Sequence, residues 1–98
     1  MNIKILPSAD ADLVNGYHFY EAQAQGLGGY FRDSLFSDID SLMIYHGIHA
    51  QCFGKYYKML SKRFPFAIYY TIEGSDIVVY SVLDCRRNPA WIKGRLDK

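Results

Sequence analysis

The sequence predicts an α+β fold, with an N-terminal helical hairpin packed on a mostly antiparallel β-sheet of about four strands and a short C-terminal helix. Apolar residues recur at helical spacing through the first half of the chain. After Gly47 they give way to aromatic and β-branched runs that alternate with period two. Helices followed by a block of strands place the helices on one face of a sheet rather than between parallel strands. The chain has 98 residues, of which 50% are apolar and 16% aromatic, so it holds one domain, 1–98.

Each element has its own signal. Ile3, Ile5 and Leu6 make a short strand that Pro7 stops. Ser8 is the expected N-cap of the first helix, with Asp10 and Asp12 near the positive end of its dipole. Leu13, Tyr17, Tyr20 and Ala24 form its apolar stripe, and Gly26, Gly28 and Gly29 break it. Phe31, Leu35, Ile39, Leu42 and Met43 form the stripe of the second helix, which Gly47 ends. One strand is expected from Cys52 to Leu60 and another from Phe66 to Ile72, with Phe66, Ile68, Tyr70 and Ile72 on one face. Glu73-Gly74-Ser75-Asp76 is a turn. Ile77 to Leu83, apolar on both faces except at Ser81, reads as an internal strand. Asn88-Pro89 reads as a cap with proline at the first position of a terminal helix carrying Trp91, Ile92 and Arg95. Most of the aromatic residues are expected in the core, with Tyr56, Tyr57 and Tyr69 partly emerging on the uncovered face.

Composition excludes several classes. The net charge of +1 and the apolar fraction argue against a disordered chain. No run reaches the ~18–20 apolar residues of a membrane span, and the N-terminus lacks a signal-peptide pattern. A cytoplasmic protein with no membrane partner is expected. Cys52 and Cys85 match no metal or redox spacing and read as free, half-buried thiols. His18, His46 and His49 make no metal set, so neither metal nor cofactor is expected. The first fifty residues carry Lys4 and Arg32 against six carboxylates, a net of −4. The remainder carry nine cations against four carboxylates, a net of +5. The carboxylates of the helical half read as solvated faces. The cations are Lys58 on a strand, Lys62-Arg63 in the turn before Phe64-Pro65, Arg86-Arg87 after the last strand, and Arg95 on the terminal helix. Such groups serve equally to clamp phosphates or to pair with an acidic protein segment.

Three blocks together resemble the RelE/ParE toxin superfamily. The first is Ala11-Asp12-Leu13, Tyr20-Glu21 and Gly26-Leu27-Gly28 followed by Phe31. The second is Lys62-Arg63-Phe64-Pro65-Phe66-Ala67-Ile68-Tyr69-Tyr70. The third is Val79-Tyr80-Ser81-Val82-Leu83 running into Arg86-Arg87-Asn88-Pro89 and Trp91. The blocks cover nearly the whole chain in the family's order. The resemblance implies the toxin half of a type II toxin–antitoxin pair, often described as a plasmid stabilisation protein. It implies growth inhibition, a cognate antitoxin partner and a toxin–antitoxin hetero-oligomer.

RelE-like members cleave mRNA in the ribosome without a metal, and ParE-like members poison DNA gyrase. A nuclease of this type would use Lys58, Arg63 and Arg86. Leu60 and Ala67, however, stand where that branch has a lysine and an arginine, and Trp91 or nothing replaces its terminal tyrosine. The ParE-like branch and DNA gyrase are therefore favoured over ribosome and mRNA, with an inactive antitoxin-binding module as a further alternative. The resemblance gives Lys58, Lys62, Arg63, Arg86, Arg87, Trp91 and Arg95 as target- or antitoxin-binding residues. Apolar antitoxin anchors are expected beside Tyr17 and Phe31.

Overall fold

The computed structural model describes residues 1–97. Its elements are β1 (Asn2–Ile5), α1 (Pro7–Gln23), α2 (Leu27–Asp40), α3 (Leu42–Tyr45), β2 (Gln51–Cys52), β3 (Tyr56–Leu60), β4 (Phe66–Glu73), β5 (Asp76–Asp84) and α4 (Pro89–Leu96). The sheet has five strands in the order β1-β5-β4-β3-β2. β2 to β5 form an antiparallel meander, and β1 lies parallel to β5 with Ile3 beside Ile77. The α+β class and the helical hairpin are as expected; the sheet has one strand more and is mixed.

The extra strand comes from the segment expected as Cys52–Leu60. The backbone turns at Phe53 and Gly54, both at positive φ, and folds Cys52 back onto Tyr56. Its aromatic and apolar residues belong to the two arms of a hairpin.

α1 begins one residue before the expected cap. Pro7 takes its first turn, where a missing N–H costs nothing and the fixed φ is already helical. The Ser8 hydroxyl instead donates to the Tyr80 carbonyl at 2.6 Å. The stripe that α1 buries is Ala9, Leu13, Gly16 and Tyr20, with Asp12 beside it; Tyr17 is half-buried and Ala24 exposed. The hairpin turn needs Gly26, whose φ is +87°. The Glu21 carboxylate accepts from the backbone N–H groups of Gly26 and Gly28, so the end of α1 caps the start of α2. α2 stops at Asp40, and after Ser41 a separate turn, α3, buries Leu42 and leaves Met43 exposed.

The main core lies between the hairpin and one sheet face. It joins Leu13, Tyr20, Phe31, Leu35, Ile39 and Leu42 to Met59, Phe66, Ile68, Tyr70, Ile77, Val79 and Val82. The faces of β4 are as the alternation implied. The Phe31 ring is stacked on Tyr20 at 5.1 Å and meets Phe64 and Phe66 edge-on at 5.1 and 4.9 Å. A Cβ on Gly16 would come within 2.5 Å of that ring. The ring is wedged on its other sides and cannot retreat. Overpacking of this kind costs about 1–3 kcal/mol, whereas Gly→Ala in a helix gains about 1. Gly16→Ala is therefore expected to lower the urea midpoint, and a raised midpoint would contradict this packing.

The second sheet face is not bare. Ile92 and Leu96 of α4 pack on Tyr56, Ala67, Tyr69 and Leu83. Tyr56 and Tyr69, expected to emerge here, are buried, and the Tyr56 hydroxyl donates to the Leu96 carbonyl at 2.8 Å. Tyr57 lies on the opposite face, stacked on Tyr70. Burial pushes the Tyr69 phenol up to about 12.

Candidate functional site

Four of the cations lie at one end of the sheet. Lys62 and Arg63 occupy the turn between β3 and β4, and Arg86 and Arg87 follow β5. The Cys85 N–H donates to the Pro65 carbonyl at 2.9 Å and ties the two segments together.

The turn is held from inside. Asp38, expected among the solvated carboxylates, is buried at the end of α2. It accepts from the Ser61 hydroxyl at 2.7 Å and from the Lys62 N–H at 3.3 Å. The Phe64 ring inserts between Tyr20, Tyr30 and Phe31. These anchors leave the side chains of Lys62 and Arg63 exposed.

The remaining cations differ in how far they are neutralised. Arg86 grips Asp84 with two guanidinium bonds of 3.0 and 2.7 Å, and its own N–H adds a third at 2.9 Å. This grip holds the Asp84 carboxyl below its usual range. Arg95 donates to Asp12 at 2.7 Å. The other Asp12 oxygen accepts from the Val82 N–H at 3.0 Å, on the stretch of β5 beyond the end of β1. Asp12 is 7% exposed, and burial raises its carboxyl above the ordinary value despite both partners. It was expected at a solvated helix end; in the structure it ties α1, β5 and α4 together. Lys58, Lys62, Arg63 and Arg87 have no carboxylate within ion-pair distance among the described residues. Lys58 is exposed beside Tyr69 on β4, away from the end cluster.

Trp91 lies under Arg87, whose guanidinium carbon is 4.0 Å from the ring centroid; Arg95 is 5.8 Å from it. Between α1 and α4 an open cleft of about 370 Å³ is lined by Asp12, Phe19, Leu83, Asp84, Arg87 and Trp91, among others. A second, of about 390 Å³, runs along the outer hairpin and is lined by Val14, Tyr17, His18, Arg32 and Phe36. Arg32 stacks over the Tyr17 ring at 5.3 Å. Phe31, the other expected apolar contact, is fully buried and offers no surface. Leu60 and Ala67 face each other across β3 and β4. Leu60 is 61% exposed, whereas Ala67 is sealed in the cluster under α4.

His46 and His49 are held by the Leu42 carbonyl and the Tyr70 hydroxyl, respectively. Both thiols are free and half-buried. Among the described residues no three metal-ligating side chains converge, and no helix is long and apolar enough to cross a membrane.

No family model matches the chain, and no curated protein matches it. Among solved structures it is similar to a chain described as "Chromosomal ParDE TA system from P. aeruginosa", with a TM-score of 0.73 and 18% identity. The match covers 84% of this chain and 92% of that one. At that identity the two share a fold.

Proposed function

We propose that the chain is the toxin of a bacterial type II toxin–antitoxin pair. It binds a cellular target in the cytoplasm, DNA gyrase ahead of the ribosome, and is neutralised in a hetero-oligomer with its antitoxin. The observation that carries this reading is the near-complete fold likeness to the ParDE structure. The three motif blocks, in the same order as in the superfamily, support it.

The site chemistry supports binding over RNA cleavage. Of the three residues a nuclease would use, Arg86 is bound by Asp84, and Lys58 lies apart from the end cluster on an exposed strand position. Leu60 and Ala67 are apolar where further cations would stabilise a phosphorane-like charge. The hairpin cleft beside Tyr17 is the apolar antitoxin contact, and the end cluster of Lys62, Arg63 and Arg87 takes acidic residues.

Two assays separate the targets. In a supercoiling reaction the purified chain is expected to inhibit gyrase, and undiminished supercoiling at large excess would reject that target. Toeprinting of translated messages is expected to show no cleavage; cuts in the ribosomal A site would establish the nuclease instead.

A further inference from the structure

We infer that the cleft between α1 and α4 is a receptor for a partner protein's aromatic or long aliphatic side chain with a carboxylate close beside it, the carboxylate being taken by Arg87. This deepens the proposed function by naming the chemistry of the partner segment, and it rests on that reading only for where the segment comes from.

The charges around the cleft decide the sign of its ligand. Two carboxylates and three guanidiniums meet there. Asp12 is used by Arg95 and the Val82 N–H, and both Asp84 oxygens are used by Arg86. Arg87 is left over. It adds to the field that holds Asp84 ionised, but it makes no ion pair of its own among the described residues. Its guanidinium lies 4.0 Å from the Trp91 ring centroid. A guanidinium held by an aromatic face keeps its N–H edge in plane for bidentate binding of a carboxylate.

The walls supply the apolar half. Phe19 is 56% exposed and Trp91 37%, large aromatic surfaces flanking a cleft floored by Phe66, Val82 and Leu83. The volume of about 370 Å³ accommodates one large side chain. A protein segment fits better than a nucleic acid. With Asp12 and Asp84 already taken up by Arg95 and Arg86, one cation without an ion pair among the described residues faces the cleft, which matches a single carboxylate rather than a row of phosphates.

Trp91 is the only tryptophan, so its fluorescence reports on the cleft directly. The full chain is titrated with 3-phenylpropionate and, separately, with neutral 3-phenylpropionamide. The acid is expected to give a saturable change in emission and to bind roughly tenfold tighter than the amide, the scale of one charge-assisted hydrogen-bond pair. Arg87→Gln, shown to be folded by circular dichroism, is expected to abolish the difference between acid and amide. Lys93→Gln, a charge loss on an exposed part of α4 outside the cleft, is expected to leave it in place. No saturable change, equal binding of acid and amide, or a folded Arg87→Gln that still prefers the acid would overturn the assignment. So would displacement of the acid by a short oligothymidylate at lower concentration, which would identify the site as one for nucleic acid. None of these readouts depends on toxicity, so failure of the toxin reading leaves the binding result standing.

Discussion

Phe31→Ala is expected to cost about 3–5 kcal/mol of stability, the range for removing a buried phenylalanine. The ring is fully buried at the centre of an aromatic cluster that joins α1, α2, the β3–β4 turn and β4. Its removal would leave a cavity bounded by Tyr20, Phe64 and Phe66, themselves packed too tightly to collapse fully. It would also loosen Phe64, one of the two anchors of the Lys62–Arg63 turn. Urea unfolding followed by circular dichroism measures the loss, and a change below about 1 kcal/mol would contradict the packing, given the usual cost of such a cavity. The milder Phe31→Leu separates core from contact. If Phe31 acts only through the core, the folded variant captures the proposed antitoxin undiminished in a coexpression pull-down.

Arg95→Ala is expected to cost about 2–3 kcal/mol at neutral pH. This is below the about 3–5 kcal/mol for breaking a fully buried ion pair, because the Arg95 side chain is itself partly exposed. Asp12 would then keep a buried charge with only the Val82 N–H to satisfy it. The pH dependence identifies the cause. In the native chain the Asp12 carboxyl lies above its unfolded value of 3.8, so the folded state holds that proton more tightly. Asp12 therefore favours folding most below 3.8. That contribution is lost as pH rises through its raised folded value, and it is level above. Removing Arg95 raises the folded value further and extends the loss to higher pH. The variant is expected to differ least from the native chain in acid and most at neutral pH. An equal cost at both would show that lost packing, not the ion pair, is responsible.

Periodicity made most of the architecture legible. Phe31, Leu35, Ile39 and Leu42 follow one helical stripe, and Phe66, Ile68, Tyr70 and Ile72 share one strand face, because each pattern is local and repeats several times. What local pattern could not show was long-range pairing. Asp12 and Asp38 read as solvated because their partners, Val82, Arg95 and Ser61, are remote in sequence. The cover that α4 gives Tyr56 and Tyr69 depends on a packing direction with no signature in an eight-residue helix. The hairpin at Phe53-Gly54 was hidden because apolar residues flank it on both arms. The glycine directly after Cys52-Phe53 was the available sign.

The same limits shaped the candidate site. The basic positions stood out by charge, and the structure places Lys62, Arg63, Arg86 and Arg87 at one end of the sheet. Which of them is already neutralised is a property of side-chain geometry. Arg86 and Arg87 are adjacent and identical in type, yet one is closed by Asp84 and the other lies over Trp91 without an ion pair among the described residues.

Induced expression of the chain in bacteria, with growth followed alone and beside a candidate antitoxin that binds it, tests the central claim most directly. The proposed function predicts arrest when the folded chain is made alone and restored growth when the partner is coexpressed. Undisturbed growth at a verified level of folded protein would contradict it.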